Sequence, residues 1–231
     1  MKRGSPFLVL AWMLGAIVSF AGIALSVRGL QGAMTVFEML AIRNMGGMAI
    51  LAGMWALARS PGHVVMPAKP GLHLLRNSAH FIGQALWVFG ITVLPLATVF
   101  AIEFTTPCWV ALFAVLFLKE RMSLFRGLSI ALGFVGVLII LRPGMESFRP
   151  EALVVVLAAV FFGIQIATTK FLTGSNSTWT IMFWMNLMQL PMNMAANAFM
   201  GHSPLIVGKL DAALWLPTLG IAITCLLYTS P

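Results

Sequence analysis

The stretch that decides the fold is residues 107–144, PCWVALFAVLFLKERMSLFRGLSIALGFVGVLIILRPG. An apolar run that begins upstream at Leu96 stops abruptly at Lys119, Glu120 and Arg121, and a second runs from Leu124 to Leu141. A helix of about 20 apolar residues matches a hydrocarbon core of ~30 Å. The connection at 119–123 has room only for a turn at the membrane surface. Neither run alternates polar and apolar residues as a barrel strand does, and an open sheet in lipid would leave backbone groups unsatisfied. The stretch therefore predicts two antiparallel membrane helices joined by a basic turn.

The rest of the chain reads the same way. Its 231 residues are 60% hydrophobic and 9% charged, with a mean hydropathy of +0.98, far from the composition of a soluble domain. Apolar runs predict spans at 7–27, 35–58, 73–93, 96–118, 124–141, 152–171, 178–199 and 212–228, an all-α integral-membrane bundle of about eight helices. The longest polar connections, 59–72 and 201–211, are surface loops that leave no room for a soluble domain. The first run has no small-residue cleavage site before Arg28 and reads as an uncleaved span.

Lys and Arg divide unevenly between the two sides. Lys2, Arg3, Arg59, Lys69, Arg76, Lys119, Arg121, Arg126 and Lys170 fall on one side, against Arg28, Arg142, Arg149 and Lys209 on the other. This puts the N-terminus in the cytoplasm. The net charge of +8 is then a topology signal rather than a nucleic-acid footprint. Cys108 and Cys225 lie in separate spans, with no disulfide framework or metal-ligand spacing.

Displacing the chain by 142 residues lays FAGIALSVRGLQG (20–32) over FGIQIATTKFLTG (162–174), and Asn44 over Asn186, either a trace of an internal repeat or a chance match between apolar stretches. The stretch 107–144 resembles the end of the first half of an EamA-type member of the drug/metabolite transporter superfamily. The pattern is Pro107, a helix closing in Glu120, a basic turn, then Gly127, Gly133 and Gly136 before Arg142, Pro143 and Gly144. Arg43, in FEMLAIRNMGG, resembles the arginine such proteins carry in their second span. The resemblance implies ten spans in two inverted five-span repeats. Here residues 1–144 would form the first repeat and 150–231 an incomplete second one lacking the last two helices, so the chain reads as a C-terminally truncated form.

Several polar residues lie where lipid is a poor neighbour. Glu103 is seven residues into its span and Arg43 eight into its own, depths of ~10 and ~12 Å. A lone charge there costs roughly 2.5–3.5 kcal/mol, so the two are expected to pair. The pair either only fixes helix packing or lines a substrate path, Arg43 facing an anionic group and Glu103 an amine or a coupling proton. Glu38, one turn inside, is expected to reach the headgroups.

Asn77, His80, Gln84 and Trp87 share one helical face, and Asn186, Gln189, Asn193 and Asn197 another, with Trp179 two turns back. These stripes either hold the bundle together or line a polar cavity that Gln165 and Thr168 would join. Pro107 and Pro191 are expected to kink their helices, and Glu120 to lock the turn that follows it through its basic neighbours. Gly15 and Gly22, with the glycines at 127, 133 and 136, signal close helix packing.

The expected function is a cytoplasmic (inner) membrane carrier moving a small organic metabolite by alternating access, with export the direction the resemblance implies. The alternatives are a membrane enzyme acting on a lipid or polyprenyl substrate, for which clustered acids or histidines are wanting, and a non-transporting assembly protein. No phosphate-binding loop occurs, and no cofactor or metal is expected. The expected partners are the small-molecule substrate, the lipid bilayer and, as the assembly open to it, a homodimer.

Overall fold

A computed structural model describes residues 6–57, 66–118, 123–141 and 149–202. The described chain is helical: α1 (Pro6–Gly29), α2 (Val36–Leu57), α3 (Pro70–Val93), α4 (Leu96–Glu103), α5 (Thr106–Leu118), α6 (Leu124–Leu141), α7 (Ala152–Thr173) and α8 (Thr178–Phe199). These cover the first seven expected spans. The eighth, 212–228, lies outside the described residues, as do Glu120 and Cys225. Val36–Ala56, Leu96–Phe117 and Ala152–Thr173 are long and apolar enough, by length and composition, to cross a bilayer. The protein is an all-α, multi-pass membrane protein.

Polarity is distributed as lipid requires. Leu14, Val18, Leu25, Leu132, Leu138 and Ile139 point outward, whereas Arg43, Asn44, Asn77 and Gln189 are buried. In hydrocarbon an outward leucine costs nothing, but an outward amide lacks a partner.

The fourth expected span is broken. It divides into α4 and α5 at Phe104 and Thr105, because Pro107 has no N–H to give the Glu103 carbonyl and its ring crowds the preceding turn. The helix tightens before it stops: Thr105 N–H bonds the Ile102 carbonyl at 2.9 Å, and the Thr105 hydroxyl bonds the same oxygen at 2.7 Å. The break lies N-terminal to the proline, which becomes an early residue of α5, where a missing N–H is harmless. Pro191, by contrast, sits inside α8, which is not divided there.

The residues form two compact units by contact, Met1–Gly62 with Gln189–Pro231, and His63–Met188. In the first, Gly32 turns the chain from α1 to α2 with φ +85°, a conformation open to glycine at little cost. Thr35 then caps α2. Its hydroxyl accepts from Glu38 N–H at 3.1 Å, and Glu38 Oε2 accepts from Thr35 N–H at 2.8 Å, a reciprocal capping box. Glu38 is 1% exposed, so it closes a helix end instead of reaching the headgroups.

In the second unit α7 packs against α3, α4 and α5. Glycine makes the close approaches. A Cβ on Gly90 would stand 2.5 Å from Val155 Cγ2, and one on Gly163 2.8 Å from Trp109 Cβ. Of the glycines whose positions suggest packing, Gly133 abuts the Cys108 thiol, whereas Gly15 and Gly136 face open space. The role of those two is therefore not packing within the described chain.

Candidate functional site

The first unit holds a polar cluster built on Arg43. Arg43 lies on α2 just over one turn beyond the capping box, and its guanidinium Nη2 donates to Asn44 Oδ1 at 2.8 Å and to Gln189 Oε1 of α8 at 2.7 Å. One turn further along α8, Asn193 Nδ2 donates to the Gln189 carbonyl at 2.8 Å. Near the helix end the Thr35 hydroxyl donates to Asn197 Oδ1 at 2.7 Å. Arg43, Asn44, Gln189, Asn193 and Asn197 are all buried. The α8 stripe visible in the sequence thus faces protein, and a charge-assisted bond to Gln189 links it to the arginine.

This arrangement holds a charge where ionisation is expensive, with the amide oxygens of Asn44 and Gln189 both on its Nη2. Glu103, the acid expected to pair with Arg43, belongs to the second unit. Its Oε1 accepts from the Thr106 hydroxyl at 3.3 Å, while Oε2 is buried with no hydrogen-bond partner among the described residues. The carboxyl therefore stands at the C-terminal end of α4, at the break in the span.

The second unit carries a separate network along α3. Arg76 Nη1 donates to Asn77 Oδ1 at 2.8 Å, and its Nε donates to Thr169 Oγ1 of α7 at 3.3 Å. Gln165 Nε2 reaches the same hydroxyl at 3.3 Å. Asn77 Nδ2 contacts the Met188 sulfur at 3.1 Å. Arg76, which the sequence places among the headgroup-facing basic residues, is instead buried and ties α3 to α7. The count that orients the chain keeps its sign without it.

On the same face of α3, His80 and Trp87 are buried and Gln84 is half-buried. The His80 ring lies 6.0 Å from that of Phe162. Asn186 bonds back to the Met182 carbonyl at 3.0 Å, a local helix contact. Trp179 is 37% exposed and stands apart from the buried amides.

Asn44, Arg76 and the Thr35 cap do not stand out as site residues from sequence alone. Two signals point to them: Thr35 and Glu38 have capping-box spacing, and the dipeptide Arg-Asn occurs at 43–44 and again at 76–77. In both dipeptides the arginine donates to the amide oxygen of the asparagine that follows it.

Comparison with known proteins places these residues in context. The profile of the EamA-like transporter family matches residues 7–142. The chain is 35% identical over 105 residues to an S-adenosylmethionine uptake transporter of Rickettsia felis, covering 45% of this chain and 36% of that protein. It is 30% identical over 159 residues to a riboflavin transporter of Brucella anthropi, covering 69% and 56%. Against a riboflavin transporter of Rhizobium johnstonii it is 36% identical over 124 residues, covering 54% and 41%. The chain thus spans about half the length of the curated relatives it matches.

Proposed function

The chain belongs to the EamA-like transporter family, and from that premise we propose that it carries a small polar organic metabolite across the cytoplasmic membrane, with the Arg43 cluster as its substrate-recognition site. One observation carries the reading: a buried arginine in a membrane helix hydrogen-bonded to Gln189 of another helix. A residue of this kind at membrane depth is expensive to keep and commonly marks a ligand or ion path. A substrate oxygen competes there with the neutral amides of Asn44 and Gln189 for the same guanidinium nitrogen.

In this proposal the N-terminus is cytoplasmic, residues 1–144 and 150–231 belong to two inverted repeats, and transport proceeds by alternating access. His80, Gln84, Trp87, Gln165 and Asn186 line the path in the second unit, and Glu103 meets an amine or a coupling proton beside the break in its span. The Rickettsia relatives are named for uptake, so we place uptake ahead of export as the direction. A carrier is favoured over an enzyme because the family match and the relatives' names all speak of transport.

The test is accumulation of radiolabelled S-adenosylmethionine, riboflavin and a set of amino acids in proteoliposomes holding the chain, beside Arg43→Gln. Uptake of one compound, reduced at least about tenfold by the variant at unchanged helix content, is expected, since one charge-assisted bond is worth roughly 1.5–3 kcal/mol. Equal uptake by parent and Arg43→Gln removes the cluster from the path.

A further inference from the structure

His73 is a buried titratable group that the carrier reading does not use. It stands in the first turn of α3 and is 1% exposed, and neither ring nitrogen makes a hydrogen bond of good geometry among the described residues. A leucine would fill the position without leaving two polar atoms unmet. The charge of Arg76, one turn further along α3, acts on the ring, and the Asn176 side chain of the α7–α8 connection lies beside it. Asn176 also reaches the segment that leads into α3, its Oδ1 accepting from Ala68 N–H at 3.4 Å in an exposed position. It thus bridges the ring, the start of α3 and the connection at 174–177.

The charges around the ring are mostly of one sign. On α3 they are Lys69 at the N-cap and Arg76, with His80 two turns along. α7, which packs along α3, carries Lys170 in its last turn, while Glu151 lies at the opposite end of that helix. α4 brings Glu103, which bonds Thr106. The α7–α8 connection, Gly174 to Ser177, has only neutral side chains. Protonating His73 in this closed arrangement sets a second positive charge against Arg76, out of water and with no acid beside it. A proton therefore favours an arrangement in which the ring is hydrated.

We propose that His73 is a proton-operated latch at this end of the second unit. With the ring neutral, the α7–α8 connection stays closed over the start of α3, and protonation moves the two apart. The latch does not depend on the Arg43 cluster being the substrate site. Imidazole suits the task, because it ordinarily changes charge between about pH 5 and 8. The tie between Ala68 and Asn176 is long and lies at the surface, so it gives way readily. One turn deeper, Arg76 holds Asn77 at 2.8 Å and Thr169 at 3.3 Å, and further along α3 the close approaches at Gly83 and Gly90 bind it to α7. Opening is thereby confined to the end of the helix.

The experiment measures the gap in the full chain in lipid nanodiscs. Spin labels at Met66→Cys and Gly174→Cys, one on each side of the latch, are introduced with Cys108 and Cys225 replaced by Ala. Their distance distribution is recorded by double electron–electron resonance from about pH 7.5 to about pH 5. Acid is expected to raise the ratio of long to short distances by about tenfold over this interval, one proton allowing at most about tenfold per pH unit. His73→Gln, which takes up no proton, is expected to hold one ratio throughout. Arg76→Gln is expected to start more open, having lost its bond to Thr169, and to gain less from acid because the repulsion is gone.

A parent distribution that does not move with pH overturns the latch. An acid response that survives in His73→Gln also overturns it, assigning the proton to another group such as His80. Should His73→Gln fail to fold, Arg76→Gln decides: an acid response equal to that of the parent overturns the proposal, and a smaller one upholds it.

Discussion

Replacing Gln189 by Leu removes the acceptor of the Arg43–Gln189 bond while keeping a side chain of similar size in a fully buried position. The bond is 2.7 Å long and its donor is charged. Neutral interhelical hydrogen bonds in a bilayer average about 0.6 kcal/mol, whereas bonds to charged groups are worth roughly 1.5–3 kcal/mol. Arg43 keeps Asn44 as a partner, which moderates the loss. A destabilisation of about 2 kcal/mol is therefore expected, about thirtyfold in the unfolding equilibrium. The assay is reversible unfolding in mixed micelles against rising SDS fraction, followed by circular dichroism.

Arg43→Met and the double variant Arg43→Met/Gln189→Leu complete the cycle. The double variant is expected to be more stable than Gln189→Leu alone, because no guanidinium then remains buried beside an apolar side chain. A loss below about 0.5 kcal/mol for Gln189→Leu, with coupling near zero, refutes the claim that this bond ties α2 to α8.

Three further outcomes follow from the geometry. Thr35→Val removes both the α2 cap and the bond to Asn197 and is expected to cost about 1–2 kcal/mol in the same unfolding assay, whereas an effect within about 0.3 kcal/mol contradicts the capping box. Gly90→Ala, whose new Cβ meets Val155 at 2.5 Å, is expected to cost about 1–3 kcal/mol, while Gly136→Ala, facing open space, is neutral or slightly stabilising; similar losses at both would undo the packing assignment. Glu103→Gln keeps the shape and an oxygen for Thr106 while removing a carboxyl with an unmet oxygen. It is expected not to lower stability by more than about 0.5 kcal/mol and, if the carboxyl carries a coupling proton, to abolish the response of uptake to an imposed pH gradient. An unchanged gradient response assigns the proton elsewhere.

Much of this protein is legible in its residue order. Length and hydropathy place seven described spans within about three residues of their helices, because in lipid the backbone must satisfy itself and few alternatives exist. The two polar stripes are legible for the same reason: amides at 3- and 4-residue spacing cannot face hydrocarbon. What one-dimensional reading does not supply is which partner each polar group meets. Matched depth suggests Arg43 for Glu103, but depth is a single coordinate and names neither Gln189 for the arginine nor Thr106 for the acid. Gln189 meets Arg43 because the two side chains face each other across α2 and α8. Glu103 meets Thr106 because the chain breaks between them.

Local chemistry is the middle case. The capping box of Thr35 and Glu38 is written in their spacing, yet it competes with an interfacial reading that burial alone resolves. Pro107 announces a break, but the backbone sets its place at Phe104 and Thr105, since a proline disturbs the turn before it. Composition and periodicity suffice to make this a helical membrane protein with amides and arginine held inside, while the EamA-like resemblance rests on the motif at 107–144. That His73 is sealed in beside Arg76 with both ring nitrogens unmet emerges only once the helices are packed, because an orphaned atom is defined by what its neighbours have already taken.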